Sequence, residues 1–225
     1  MNLHLFSSLD RDDLLEASRP HLEGKADPLV AYLPAGSFTN PYQEITEKAF
    51  HGLGRVVTLD TEQMSLAEME ALLRRAALLY LPGGNTYLLN HRLHLCKLDE
   101  TLRRRVAAGL PVVAFSAGTV LCGPNILTSN DINIVPTSNF KGLEASPFNF
   151  NVHYPDDPLG QAARDGWLAE YHVFHDNPVL LLSDGACVTL EKHATRLVRG
   201  EAWILRPGCE KEKLLPGRTI PVRPG

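Results

Sequence analysis

Ser116 stands where its hydroxyl could act as a nucleophile. The run PVVAF (111–115) reads as a buried strand, and two small residues, Ala117 and Gly118, follow the serine at once. A serine between small neighbours at a strand end is typical of a nucleophile elbow, in which a strained backbone projects the hydroxyl free of the sheet. The alternative is that Ser116 only caps the next helix, as serines often do.

The segment PGGNT (82–86) ends the preceding strand and offers donors for an oxyanion hole. Two glycines before a helix allow a backbone N–H to face a ligand, so the Gly84 N–H is one candidate donor. The Ala117 N–H, at the positive end of a helix, is the other. Asn85 is a candidate substrate-binding residue, with a helix cap as the alternative. A phosphate loop is disfavoured because the segment lacks both the GK[ST] ending and the GxGxxG spacing.

A serine nucleophile needs a base, and His153 is the favoured one of nine histidines. It lies in FNVHYP (150–155), at the close of a long irregular stretch, and loops tend to carry function. The other histidines fall on a strand, in helical or helix-end stretches, or in a hairpin turn, where packing and surface roles are the better explanation: His4, His21, His51, His91, His94, His172, His175 and His193.

A carboxylate must orient the imidazole, and Asp184 is displayed at a strand end in LSDG (182–185). An ordinary Asp-Gly hairpin turn is the alternative interpretation. The resulting chain order is serine, histidine, acid. Because α/β-hydrolases run serine, acid, histidine, this order disfavours the lipase and esterase superfamily.

The elements that must position these residues alternate between strands and helices. Apolar runs occur at MNLHLFS, PLVAYLP, RVVTLD, ALLYLPGG and PVVAFS, and helical stretches end near 24 and cover 43–51, 65–75 and 86–108. Continuous apolar strands separated by helices predict a doubly wound, mostly parallel, flavodoxin-like α/β sheet. Ligands of such sheets bind beyond the carboxyl ends of the strands, where the loops 34–40, 82–86 and 115–119 should converge.

After residue 121 this rhythm changes. Residues 123–158 lack sustained periodicity, and a loop of that length is usually functional. A helix over 159–173 follows, and then PVLLLSD, ACVTLEK, ATRLVRG and EAWILRPG come at hairpin spacing, which predicts C-terminal antiparallel strands. No linker divides the chain, so one domain over 1–225 is expected.

Composition narrows the classes of partner. The 225 residues are 44% hydrophobic and 21% charged with a net charge of −4, which argues against nucleic acid. The chain starts without a basic leader and has no apolar run near the roughly 18 residues of a membrane span, so a cytoplasmic protein is expected. Four scattered cysteines without a CxxC pair favour free thiols and no structural metal. No cofactor is indicated, and a homodimer is a candidate assembly.

Taken together, these motifs resemble the peptidase E family, the cytoplasmic α-aspartyl dipeptidases. The resemblance rests on PGGNT (82–86), FSAGT (115–119), LTSNDINIV (127–135), NVHY (151–154) and SDG (183–185). It implies a serine peptidase on a class-I-glutamine-amidotransferase-like fold that releases the N-terminal aspartate of Asp-X dipeptides through an acyl-enzyme. By position, Ser116 is then the nucleophile, His153 the base, and the N–H groups of Gly84 and Ala117 the oxyanion hole.

The resemblance bears on two further residues. The family typically has glutamate in the third place, in a P-E-G context, where this chain has Asp184, and Asp131 of the motif SND (129–131) is the rival acid. By its position after the histidine, Arg164 resembles the aspartate-binding arginine of the family, and a guanidinium can hold a carboxylate through two parallel N–H bonds. The alternative is a solvated helix arginine paired with a nearby carboxylate.

Two other functions stay open on the sequence. A cyanophycinase-like or otherwise shifted serine peptidase would share the serine elbow but cut β-linked or longer substrates, and a substrate panel separates it. A non-catalytic, flavodoxin-like module would hold a small anion in PGGNT and use Ser116 only as a cap. Labelling by a serine-directed fluorophosphonate would argue against that module.

Overall fold

The computed structural model describes residues 2–191 and 194–222, so the expected hairpin turn at His193 lies outside the described residues. The strands are β1 (Asn2–Phe6), β2 (Leu29–Tyr32), β3 (Arg55–Thr58), β4 (Ala76–Leu81), β5 (Val112–Phe115), β6 (Asn149–Val152), β7 (Val179–Leu182), β8 (Cys187–Glu191), β9 (Ala194–Arg199), β10 (Ala202–Leu205) and β11 (Glu212–Lys213). The helices are α1 (Arg11–Leu22), α2 (Gln43–Phe50), α3 (Leu66–Arg75), α4 (Thr86–Leu95), α5 (Leu98–Ala107), α6 (Ala117–Leu121) and α7 (Pro158–Tyr171).

The strands form a large and a small sheet. The seven-stranded sheet has the order β3-β2-β4-β5-β1-β8-β9, in which the first five strands are parallel and β8 and β9 are antiparallel. The predicted α/β fold, with a mostly parallel sheet and C-terminal antiparallel strands, is therefore confirmed. A four-stranded sheet of order β11-β10-β7-β6 accompanies it, with β6 parallel to β7.

The central strands are apolar throughout because both faces of the large sheet are covered. Alternate residues of one strand enter different cores: Ala31 packs in the cluster that includes α3, α4 and α5, whereas Tyr32 packs in the cluster that includes α1 and α2. The inner face of the small sheet, with Phe150 and Leu180, belongs to the first of these cores. Helix α7 covers its outer face, where Leu168 packs in one cluster with Leu181.

Two departures from the predicted elements have local causes. The helical stretch over 86–108 is two helices, because Lys97 adopts a left-handed conformation (φ 58°) that ends α4 before α5 begins. The loop predicted over 123–158 contains the strand β6, which the sequence does not reveal because two of its four residues are asparagines. These asparagines, Asn149 and Asn151, are nevertheless 0% and 1% exposed.

A third departure concerns the segment PVLLLSD, which was expected among simple antiparallel hairpins. It forms β7, the parallel partner of β6 and the antiparallel partner of β10, in the small sheet. The C-terminal strands are therefore divided between two sheets. This division matters for the site because it makes the ends of β6 and β7 neighbours.

Gly118, in α6, should tolerate no larger side chain. A Cβ at this position would lie 2.3 Å from the carbonyl oxygen of Leu81, at the end of β4. We expect Gly118→Ala to lower the free energy of unfolding by about 2 kcal/mol or more, because α6 must move away from the strand. Chemical denaturation measures the change.

Gly166 provides the matched control in α7, since a Cβ there meets no atom within 4 Å among the described residues. Gly166→Ala should raise the free energy of unfolding by up to about 1 kcal/mol through helix propensity. Equal effects of the two substitutions would contradict the close packing of α6 on β4.

Candidate active site

Ser116 forms the turn between β5 and α6. Its backbone is strained, with φ 52° and ψ −118°, a region that non-glycine residues rarely occupy. Its N–H donates to the Phe6 carbonyl (3.1 Å), and its own carbonyl accepts from the N–H groups of Thr119 and Val120. The side chain makes no capping hydrogen bond to the helix. Ser116 thus begins the helix through its backbone and leaves its hydroxyl for another partner.

That partner is His153. The distance from Ser116 Oγ to His153 Nε2 is 2.9 Å, and His153 Nδ1 lies 2.6 Å from Asp184 Oδ1. The structure therefore brings together the three predicted residues as a hydroxyl, an imidazole and a carboxylate in series. Such a series can move a proton from the hydroxyl to the imidazole while the carboxylate fixes the tautomer and stabilises the cation.

The strand register explains why His153 and Asp184 meet. In the parallel pair β6 and β7, Val152 lies opposite Leu182, so the residues that follow the two strands leave at the same edge of the small sheet. The His153 side chain is 45% exposed and the Asp184 side chain is 66% exposed. The acid and base are thus open to solvent and to a ligand.

Of the two serines that follow β1, Ser7 contacts this pair directly, and the sequence motifs single out neither serine. The His153 N–H donates to the Ser7 hydroxyl (2.8 Å), which itself lies 3.4 Å from Asp184 Oδ1. The neighbouring Ser8 hydroxyl accepts from the Gly185 N–H (2.9 Å). The position of Ser7 and Ser8 directly after β1 could have indicated that they lie near the site, because β1 is parallel to β5 and ends at the same edge of the sheet as Ser116.

The three loops predicted to converge do meet around Gly84. The Asn85 N–H donates to the Gly36 carbonyl (2.8 Å), and a Cβ on Gly84 would lie 2.5 Å from that same oxygen. A Cβ on Gly83 would approach Ser116 Cβ to 3.3 Å. The glycine pair is required because the loops 34–40, 82–86 and 115–119 pack closely against one another.

The predicted oxyanion donors are available in this arrangement. Leu81 and Ala114 are register partners in the parallel strands β4 and β5, and Gly84 and Ala117 each follow three residues later. Within the described chain, neither the Gly84 N–H nor the Ala117 N–H donates to another backbone group. Unpaired N–H groups at the start of a helix favour a negative charge.

Asp131 and Asn85 serve the start of helix α4. One oxygen of Asp131 accepts from the Thr86 N–H (2.7 Å) and the Thr86 hydroxyl (2.6 Å). Asn85 caps the helix by accepting from the Leu88 N–H (3.0 Å) and donates to the Ile132 carbonyl (2.9 Å). The structure places Asp131 on the helix rather than on the histidine, so the rival acid is not part of the series. Contact of Asn85 with substrate stays a prediction.

Arg164 lies on α7 beside the strand that leads to His153. Its Nη1 donates to Asn151 Oδ1 (3.1 Å), and its guanidinium lies 5.5 Å from the ring centre of Trp167. The carboxylate next to it in sequence, Asp165, pairs instead with Lys211 (2.8 Å). Burial lowers the pKa of Arg164 from its usual value. A partly desolvated cation of this kind gains from an incoming carboxylate.

The described part of the chain holds no cluster of metal-ligating side chains. No group of three or more histidine, cysteine, aspartate or glutamate side chains there is placed to hold a metal ion. The four cysteines are free thiols. None of the helices in residues 2–191 and 194–222 has the length and apolar character needed to cross a membrane.

The two carboxylates differ in their contacts, and this difference should appear in the kinetics. Asp184→Asn removes the charge beside the imidazole and should lower the rate of the predicted peptide hydrolysis by about 1,000-fold or more. Asp131→Asn keeps an oxygen that can accept from the Thr86 N–H, so the decrease in hydrolysis rate should be at least about tenfold smaller than for Asp184→Asn. Steady-state hydrolysis measures both variants, and the reverse ranking would assign the acid to Asp131.

Comparison with known proteins identifies the family of this chain. The family model "Peptidase family S51" matches residues 6–198. Peptidase E of Nostoc sp. is 30% identical over 196 residues, covering 83% of this chain and 79% of that protein. A protein of Drosophila melanogaster named "Probable alpha-aspartyl dipeptidase" is 36% identical over 129 residues, 55% of this chain and 54% of its own.

A solved structure shares the fold over nearly the whole chain. The crystal structure of a peptidase from an acI-B1 Actinobacterium superposes with a TM-score of 0.74, covering 97% of this chain and 96% of that one, at 17% sequence identity. At 17% identity the similarity shows the fold alone. The match to the family model and the peptidase E relatives show more: the chain belongs to peptidase family S51 and is a serine peptidase.

Proposed function

We propose that this peptidase hydrolyses Asp-X dipeptides and releases the N-terminal aspartate, with Ser116, His153 and Asp184 as its catalytic triad. The observation that carries the proposal is the unbroken series from Ser116 Oγ through both ring nitrogens of His153 to Asp184 Oδ1, at 2.9 Å and 2.6 Å. The naming of relatives as peptidase E and as a probable α-aspartyl dipeptidase supports the same substrate class.

Acylation begins at the serine. His153 Nε2 takes the proton of the Ser116 hydroxyl as Oγ attacks the carbonyl carbon of the aspartyl residue, and Asp184 stabilises the imidazolium that forms. The N–H groups of Gly84 and Ala117 hold the oxyanion of the tetrahedral intermediate. The intermediate then collapses: the C–N bond breaks, and His153 passes its proton to the departing amine of residue X.

Deacylation repeats the same steps with water. The aspartyl ester on Ser116 is attacked by a water molecule whose proton goes to His153 Nε2, and a second oxyanion forms at the same two N–H groups. Collapse of this intermediate breaks the ester bond. The proton returns from His153 to Ser116 Oγ, so free aspartate leaves and the triad is restored.

Arg164 is the proposed partner of the aspartate side chain. Its guanidinium is held by Asn151 and Trp167, and in the described chain it forms no ion pair with a carboxylate. A fixed guanidinium gives a carboxylate two parallel hydrogen bonds, which distinguishes aspartate from asparagine by charge and from glutamate by length. The closeness of Asn151 to His153 in sequence favours a substrate seated between α7 and the triad.

A substrate panel tests the proposed function. Wild-type protein should hydrolyse Asp-X, whereas Glu-X, Asn-X and β-Asp-X dipeptides should be poor substrates, because only the first places a carboxylate on Arg164 and the α-carbonyl on Ser116. Ser116→Ala should lower Asp-X turnover by about 10⁴-fold or more while the fold stays intact. Near-normal hydrolysis by Ser116→Ala would contradict the mechanism, and preference for β-Asp-X would indicate a cyanophycinase-like specificity.

Arg164 can be tested separately from the triad. Arg164→Met should reduce kcat/KM for Asp-X by about 100-fold, since a charge-assisted bidentate contact is lost, and Arg164→Lys should recover only part of it. Arg74→Met is the matched control, because Arg74 is an exposed surface residue and its substitution should leave kcat/KM unchanged. Equal losses for Asp-X and Asn-X in Arg164→Met would contradict the assignment.

A further inference from the structure

We infer that Ser7 is a positioning residue of this enzyme, whose hydroxyl holds both the base and the acid of the triad in place. The inference rests on the proposed function, because it takes His153 and Asp184 as the working pair. Ser7 is fully buried, with 0% of its surface exposed, and it directly follows the strand β1. Its hydrogen bonds go to the base and the acid rather than to the nucleophile, so its effect must pass through these two neighbours.

The Ser7 hydroxyl closes a ring of hydrogen bonds. It accepts from the His153 N–H (2.8 Å) and, as a donor, faces Asp184 Oδ1 (3.4 Å). The same Asp184 oxygen accepts from His153 Nδ1 (2.6 Å). A hydroxyl has one proton and two lone pairs, so both of its bonds can exist together. The contact with Asp184 is the longer one, and catalytic hydrogen bonds often tighten when substrate binds.

The ring restrains the His153 backbone and the Asp184 side chain. His153 has a positive φ of 52°, and a strained backbone persists only when its surroundings hold it. The Asp184 side chain is 66% exposed and follows the last strand residue by two positions, so water competes for its oxygens. Because the Ser7 hydroxyl is buried and cannot turn to solvent, it restrains the peptide N–H of His153 and the carboxylate of Asp184.

The placement of Ser7 suits it to this task. Strand β1 lies between β5 and β8 in the seven-stranded sheet, whereas His153 and Asp184 follow strands of the four-stranded sheet. The Ser7 N–H donates to the Ala186 carbonyl (3.0 Å), which ties its backbone to the turn that carries Asp184. The hydroxyl therefore fixes the acid and base relative to the sheet that bears Ser116.

Ser8 provides a matched control. Its hydroxyl accepts from the Gly185 N–H (2.9 Å) in the turn that carries Asp184. The Ser7 hydroxyl, by contrast, bonds to His153 and Asp184 themselves. Ser8→Ala removes the bond to Gly185 and leaves the contacts of the Ser7 hydroxyl with His153 and Asp184 in place. A difference between the two variants then reports the ring rather than the turn.

The test is the second-order rate of Ser116 labelling by a fluorophosphonate, which needs no aspartyl side chain. Ser7→Ala should slow labelling by about 10-fold or more, the loss of a hydrogen bond to a charged group, whereas Ser8→Ala should stay within about 3-fold of wild type. Ser7→Cys, which fills the space with a weak donor and acceptor, should resemble Ser7→Ala. Thermal unfolding checks that all three variants are folded.

A double-mutant cycle separates positioning from a general effect on the fold. In an Asp184→Asn background, Ser7→Ala should slow labelling by a smaller factor than in the wild-type background, because the acid no longer works and only the bond of Ser7 to the His153 N–H is left to lose. Wild-type labelling rates in Ser7→Ala or Ser7→Cys, or an equal cost in both backgrounds, would overturn the inference. Labelling intact without Asp-X hydrolysis would overturn only the proposed substrate. Failure of wild-type Ser116 to label would overturn the triad and the role of Ser7 together.

Discussion

The hydrogen bond between Ser116 Oγ and His153 Nε2 joins the two sheets of the molecule, and the rest of the site depends on it. Ser116 leaves β5 of the large sheet, whereas His153 leaves β6 of the small sheet. Each residue has a φ of 52°, so both backbones are held against their own preference. The apolar core that runs from the large sheet to Phe150 and Leu180 supplies the force that holds them. Burial of apolar surface therefore fixes the distance between the proposed nucleophile and the proposed base.

The loop SND (129–131) extends this fixed geometry to both sides of the serine. Asp131 caps helix α4 through Thr86 and so steadies the glycine loop, which carries the Gly84 N–H, one of the two proposed oxyanion donors. Asn130 donates to the carbonyl of Val152, the residue before His153, and accepts from Asn151 (2.6 Å). Asn151 in turn accepts from Arg164. One loop therefore supports the glycine loop that carries Gly84, the strand that leads to His153 and, through Asn151, the Arg164 guanidinium. These contacts explain the polar residues of the SND loop, where a second catalytic acid was considered.

The sequence predicts the part of this site that is encoded locally. The parallel sheet is predicted from the apolar runs, and the elbow from the small residues around Ser116 at a strand end. Each of these patterns is contained in a few consecutive residues. The small sheet cannot be predicted in this way, because its strand β6 contains the buried residues Asn149 and Asn151. Their side-chain amides are hydrogen-bonded by residues outside the strand, 21 to 24 positions away in sequence: Tyr171, Asn125, Thr128 and Asn130. Ser7 is missed for the same reason, as its partners lie 146 and 177 residues away. The parallel pairing of β6 and β7 depends on tertiary contacts, which hydrophobic periodicity does not predict.

Ser116 is expected to become a covalent aspartyl ester during turnover. Mass spectrometry of the acid-quenched enzyme, after mixing with an activated ester of aspartate, tests this claim most directly, because acylation by such a substrate is fast and the adduct can be located by peptide mapping. The expected result is an aspartyl adduct on the peptide that contains Ser116, absent from Ser116→Ala. Hydrolysis of the ester with no adduct, or with the adduct on another residue, would contradict the role of Ser116 as nucleophile.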